Sequence, residues 1–392
     1  MLDLVKWSRA PEKKSSRTAQ LVAFQSQGRA RWTPRDTASL AREGYMKNAI
    51  VHRAVKLVAE AVGSVAWLAY EGDAEHHAHP LLDLIARPNP RQDGAAFLET
   101  VVAHLQLAGN AYIEAVTLDG RPRELYALRP DRMRVVPGPD GWPEAYEYHV
   151  AGRSVRFDQA QALPPDVPPI LHLTHFHPLD DHYGLAPLEA ASIAVDTHNA
   201  AAAWNKALLD NAARPSGALV YSSPDAAVLT DEQYQRLKRE LSDEYQGAKN
   251  AGRPILLEGG VDWKAMALSP KDMDFLEAKN NAAREIALAF GVPPMLLGIP
   301  GDNTYANYQE ANRAFVRGSV LPLASRIGHA LSQWLGSAFG GSVRLAIDAD
   351  RIEALASDRT ALWARVTAAP FLTLNEKRMA TGYAPVEGGD RF

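Results

Sequence analysis

The stretch from Arg253 to Arg317 constrains this chain more than any other. Strand-like runs at Pro254 to Glu258 and Val261 to Leu268 lead into Ser269-Pro270-Lys271-Asp272, a helix start with a cap, a proline at the first position and an acid in the first turn. Met273, Leu276, Ala283, Ala287 and Phe290 then fall on one helical face. Gly291-Val292-Pro293-Pro294 stops that helix, because proline supplies no N–H and disfavours helix at the residue before it. A short loop, Leu297 to Thr304, precedes a second helix from Tyr305 to about Leu335, with Pro322 inside it predicting a kink or a division in two. The segment carries no nucleophile, phosphate loop or metal cluster, so its content is architectural.

Elsewhere helices and short strands are mixed without repeats. Residues 1–44 read as a loose basic arm, with Arg9, Lys13, Lys14, Arg17, Arg29, Arg31, Arg35 and Arg42 among polar residues. Such an arm is either a solvated tail or an arm that packs on a neighbouring subunit or on an acidic surface. Ile50, Ala54, Val58 and Ala61 mark the first helix, ended by Gly63-Ser64, with a strand at Val65 to Tyr70. Short helices follow at His79 to Arg87 and from Asp93 to Gly109. Strands are expected at Asn110 to Val116, Glu124 to Leu128, Met133 to Val136, Ala145 to Val150 and Ile170 to Phe176, a pattern of α+β rather than βαβ repeats. Pro187 to Asn211 predicts one long alanine-rich helix of about 37 Å. Ala213 to Leu268 reads strand–helix–strand, a small module between two long helices. A strand at Val343 to Ile347 and helices at Asp350 to Ala369 and Leu374 to Ala380 finish the chain.

Bulk properties narrow the function classes. The 392 residues are 46% hydrophobic, ordinary for a folded chain. The net charge of −4 disfavours a tight static grip on many phosphates, though not passage of a sliding polyanion. The absence of cysteine excludes disulfides, thiolate zinc sites and cysteine nucleophiles. The N-terminus lacks an apolar signal core, and no run of about 18 apolar residues predicts a membrane span.

Candidate chemistry is sparse. His172, His175, His177, Asp180, Asp181 and His182 are the densest set of potential metal ligands, and a metal-dependent hydrolase is the alternative they raise. Against it, His172 and His175 fall on opposite faces of a strand. His76, His77 and His79 read as loop residues, and Asp272/Asp274 as cap charges. Neither GxxxxGK[ST] nor GxSxG occurs. The expectation is no enzyme activity, no metal and no cofactor. Arg313 and Arg317, four apart, form either a basic ring in an oligomer or an inter-subunit salt bridge.

Several segments, in order, resemble the portal proteins of tailed bacteriophages. They are HPLLDLIARPNP (79–90), LAGNAYIEAV (107–116), LYALRPDRMRV (125–135), ILHLTHFHPLDDHYGLAPLEAA (170–191), NAARPSGAL (211–219), GRPILLEGG (252–260), LSPKDMDFLEAK (268–279), REIALAFGVPPMLLG (284–298) and NTYANYQEANRAFV (303–316). The resemblance covers the chain from about Asn48 onward, and the short chain is similar to the compact portals of gene transfer agents. It implies a dodecameric ring at one capsid vertex of a virion or phage-like particle, assembled in the bacterial cytoplasm, through which double-stranded DNA passes non-specifically. It implies docking of the packaging terminase, contact with the major capsid protein and later binding of head–tail connector proteins. A portal fold would give a wing at 45–186, stem helices at 187–212 and 269–292, and a clip at 213–268 between them. A tunnel loop region at 293–304 and a kinked tunnel helix at 305–336 would follow, then a wing strand at 337–349 and a crown at 350–392. Gly291, Val292, Pro293 and Pro294 would be the stem hinge and Pro322 the kink. Asp302, Asn303, Thr304, Tyr305 and Asn307 would face DNA. The terminase would meet the clip near Ser222 to Gln233 and Gly247 to Arg253. A monomeric adaptor is the remaining alternative.

Overall fold

The computed structural model describes residues 32–72, 74–76, 78–160, 167–210, 217–221, 230, 232, 235–236, 261–265, 275–301, 304–341, 343–383 and 385–391. Helical structure begins within the stretch expected to be loose. Asp36 accepts from Ser39 N at 2.9 Å and starts α1 (Thr37–Leu40), which widens into a π-turn over Ala41–Tyr45. Thr33 is held farther back, where Asp196 accepts from its backbone N–H at 2.9 Å.

The principal core forms around α2 (Ala49–Gly63). Asn48 caps it by accepting from Ile50 N at 3.0 Å and Val51 N at 3.2 Å. Val51, Val55, Val58 and Val62 recur at helical spacing and are all buried. Each fully buried valine contributes about 1.5–3 kcal/mol, which outweighs the modest helix propensity of a β-branched run. This face meets α4 (Gly94–Ala108) and the later helix Leu321–Leu335. Strand β1 (Trp67–Glu71) leaves α2, pairs with the short β2 (Ala74–His76) and, antiparallel, with a strand from near the C-terminus, β11 (Val343–Ile347), in register Ala69↔Leu345. Between them in sequence, α3 (Pro80–Ala86) is capped by His79, whose Nδ1 accepts from Leu81 N at 3.1 Å.

Two further antiparallel sheets lie beside this core. β3 (Asn110–Leu118) is central between β4 (Arg121–Leu128) and β8 (Ile170–Thr174), and β6 (Pro143–Val150) is central between β5 (Met133–Pro137) and β7 (Arg153–Asp158). Tyr112, Met133, Val135, Tyr146 and Ile170 form the small core that joins them. The α4-to-β3 corner needs Gly109, whose φ is +70° and whose hypothetical Cβ would sit 2.2 Å from the Gly184 carbonyl oxygen. Among the described residues all pairing is antiparallel and helices are interspersed, the α+β class read from the sequence.

Several expectations are corrected. β7 went unforeseen because four of its six residues are exposed, so no apolar alternation marks it, and its turn places Ala151 at a φ of +48° without the usual Asn-Gly signal. The helix expected over Pro187 to Asn211 is interrupted: α5 (Pro187–Ala190) and α6 (Ser192–Asp210) meet at Ala191, whose ψ of 0° breaks the regular ladder. The module after α6 is described only as β9 (Gly217–Tyr221) paired antiparallel with β10 (Val261–Ala265), and the expected strand at Pro254 to Glu258 and helix start at Ser269 lie outside the described residues. Helix α7 (Phe275–Ala289) packs on α6. Beyond it, α8 (Tyr305–Phe315) passes through a π-turn (Val316–Val320) into α9 (Leu321–Leu335). After β11, the expected helix from Asp350 begins as two 3₁₀ turns, then becomes α10 (Ala356–Thr367), followed by α11 (Leu374–Ala380). Among the described residues, no helix is long and apolar enough to cross a membrane.

Candidate functional site

The turn between α7 and α8 is built by backbone geometry. Gly291 takes φ +64°, its N–H bonds the Leu288 carbonyl at 3.0 Å, and Val292 N bonds the Ala287 carbonyl at 2.9 Å. This paired closure is a Schellman motif, with buried Val292 packing back toward the helix. Pro293 then prevents continuation, and Pro294–Leu297 forms a 3₁₀ turn ended by Gly298. Ile299 tucks against Ala283 and Ala287, and Arg284 donates to the Pro300 carbonyl, so the segment folds back along α7.

Thr304 starts the next helix by accepting from Asn307 N at 3.3 Å. Every residue from Thr304 to Glu310 is exposed, with Tyr305 79% exposed. Two turns of α8 are therefore solvent-exposed on the single chain, and their N–H groups give that end partial positive character. Thr304, Tyr305 and Asn307 lie together there, while Asp302 and Asn303 lie outside the described residues.

The π-turn accounts for the place of Pro322. Leu321 N bonds the Val316 carbonyl, five residues back, and Pro322 is the second residue of α9. A proline ring near a helix start clashes with no carbonyl of a preceding regular turn, so the widened turn takes up the irregularity. Within one chain, Arg313 and Arg317 both face α10 (Ala356–Thr367). Arg313 Nη2 donates to Ser357 Oγ at 2.9 Å, its Nη1 lies 3.8 Å from Asp358, and Arg317 donates to the same carboxylate. Neither Ser357 nor Asp358 carries a sequence signal that points at α8, since the partners are 41 to 45 residues away.

The histidine cluster does not assemble a metal site. His172 is stacked on Tyr112 with ring centroids 4.2 Å apart. Its Nε2 lies 3.0 Å from Asn110 Oδ1, which also accepts from Gly184 N, and its Nδ1 lies 3.3 Å from the Tyr146 hydroxyl. One nitrogen thus donates and the other accepts, leaving no lone pair for a metal. Burial pushes its pKa down to about 3, reinforced by His182. Asp180 accepts from His182 N and Tyr183 N as a turn residue, and those bonds hold its carboxyl below the usual range. Among the described residues no group of three or more His, Cys, Asp or Glu converges for a metal, and the hydrolase alternative has no support.

The described elements make up a mixed helix-and-sheet subunit with an exposed start to α8. Residues 49–382 match the family described as phage portal protein, and the chain belongs to that family. It is 54% identical to a chain in the neck of a native gene transfer agent (GTA) particle computed with C12 symmetry, covering 95% of this chain and 100% of that one, with a TM-score of 0.70. It is 43% identical to a protein of Rickettsia bellii over 89% of this chain and 90% of that one. It is also 24% identical to the portal protein of Enterobacteria phage HK97, over 90% of this chain and 82% of that one.

Proposed function

We propose that twelve copies of this chain form a ring at one vertex of a gene-transfer-agent-like particle, and that double-stranded DNA enters and leaves through it. The observation that carries this reading is the 54% identity along the whole length of a chain in a C12-symmetric particle neck. In this reading residues 45–186 with 337–349 form the wing, 187–212 and 269–292 the stem, 213–268 the clip, and 350–392 the crown. Residues 293–304 then form the tunnel loop region and 305–336 the tunnel helix, with Gly291 to Pro294 as the hinge and the irregular turn before Pro322 as the kink.

The exposed start of α8 supports placing Thr304, Tyr305 and Asn307 toward the axis, joined by Asp302 and Asn303. Short polar groups and helix N–H ends touch phosphate oxygens without reading sequence. Few full charges there, with a net charge of −4 on the subunit, keep each contact weak enough for sliding. The chain supplies no catalytic group in this scheme. A separate packaging terminase docks at the clip near Ser222 to Gln233 and Gly247 to Arg253, the major capsid protein surrounds the wing, and connector proteins bind after filling.

Electron microscopy of purified protein and of particles tests the proposal. Rings with a central hole at one vertex are expected, and particles whose vertex lacks this chain would overturn it. Tyr305→Glu and Asn307→Asp should leave rings intact while reducing packaged DNA, because repeated negative charge at the axis repels the backbone. Unchanged DNA content in such rings would remove this segment from the channel wall.

A further inference from the structure

The C-terminal unit does not bury its own apolar surface. Among the described residues of 356–391, Val366 is the one buried large apolar side chain. Phe371 is 72% exposed, Met379 56% and Leu374 54%. So small a unit with so little core is not expected to hold its shape alone.

Two complementary features lie on its surface. Between α10 and α11 runs a groove of about 260 Å³, walled by Trp363, Val366, Thr367, Lys377, Arg378, Thr381 and Tyr383. The Trp363 and Tyr383 rings lie 6.5 Å apart, and Lys377 Nζ reaches the Thr367 carbonyl at 3.5 Å. The second feature is Phe371, on the connection between the two helices, projecting outward and not lining its own groove.

The chain's own tail does not fill the groove. Asn375 holds residues 386–390 elsewhere: its Oδ1 accepts from Val386 N at 2.8 Å, its Nδ2 donates to Asp390 at 2.9 Å, and its backbone N–H donates to the Gly389 carbonyl at 2.8 Å. α10, which forms one wall of the groove, is tied to the rest of the subunit by the partly exposed ion pairs of Asp358 with Arg313 and Arg317. A projection and a groove at different places on one unit are what a head-to-tail contact requires, and such contacts form a ring when the rotation between copies closes.

We propose that Phe371 of one copy seats in the α10–α11 groove of the next copy around the ring. This rests on the ring reading above. An aromatic ring entering a groove with aromatic walls gains edge or offset contacts, the usual chemistry of an interface anchor.

The absence of native cysteine makes the test clean. Full-length Phe371→Cys and Thr381→Cys are prepared separately, mixed, assembled and mildly oxidised. A disulfide-linked dimer is expected in the mixture and in neither variant alone. Phe371→Ala should raise the concentration needed for assembly by about tenfold with helix content unchanged. If the unmodified chain forms rings, Phe371→Ala assembles equally well and the mixture gives no linked dimer, the inference is overturned while the ring stands. If the unmodified chain forms no ring even within particles, the ring reading falls and this contact with it. Occupation of the groove by a different protein in intact particles, seen as density not continuous with a neighbouring copy, also overturns it.

Discussion

Ser319 Oγ donates a 2.6 Å hydrogen bond to the carbonyl of Gly291, joining the π-turn between α8 and α9 to the left-handed residue that ends α7. Two irregular points in the chain thus brace one another. A Cβ on Gly291 would lie 2.7 Å from the same hydroxyl oxygen. Gly291→Ala therefore meets both an unfavourable φ and a steric conflict, and should destabilise the subunit by about 1–3 kcal/mol. In Ser319→Ala the same glycine substitution should cost less, because the conflict is gone. Urea unfolding of the double-mutant cycle measures the difference, and strict additivity would show that the two residues do not interact.

Asp358 gathers Arg313 and Arg317 from the helix across from it. These ion pairs are partly exposed, Arg317 by 56%, so their contribution is small and screened. Asp358→Asn should cost about 1 kcal/mol or less at low salt and close to nothing near 1 M salt. A cost that persists at high salt would mean that the carboxylate is held chiefly by hydrogen bonds rather than by charge.

Three histidines should make the subunit acid-sensitive before its carboxylates titrate. Burial pushes His172 down to about 3, with His182 adding to it, and burial pushes His104 and His175 down to about 4. The native state holds these rings neutral, whereas the unfolded chain protonates them near pH 6.5. Their stabilising contribution is therefore complete above about pH 6.5 and is lost as pH falls toward about 4 and then 3. Each adds a slope of up to about 1.4 kcal/mol per pH unit within that window. Urea unfolding between pH 7.5 and 5 should show the decline, and His172→Gln should lessen it by about one proton. A flat profile would refute this account.

Metal should be irrelevant to the fold. Both His172 nitrogens are already engaged, and His79 spends its Nδ1 capping α3. Chelator treatment should leave the melting temperature unchanged, and added zinc should raise it by no more than non-specific binding does. A saturable one-to-one stabilisation by zinc, lost in His172→Gln, would reopen the metal site.

Much of this protein was legible one segment at a time. Asp93 accepts a bond from an N–H three residues ahead, and Gly291 with Pro293 ends α7 by sterics that act within a single turn. Caps and stops of this kind are local, so the order of residues determines them. What the order did not contain was which surfaces meet. His172 finds Asn110 across 62 positions, Arg317 finds Asp358 across 41, and Ser319 finds Gly291 across 28. A histidine in a strand that leads to a polar loop does not reveal that a tyrosine stacks on it and an asparagine bonds it. Two arginines four apart on a helix do not reveal that a second helix brings an aspartate to them. Those outcomes depend on the packing of distant elements against a shared core. Short-range hydrogen bonds and backbone sterics set the segments, and only tertiary structure set their partners.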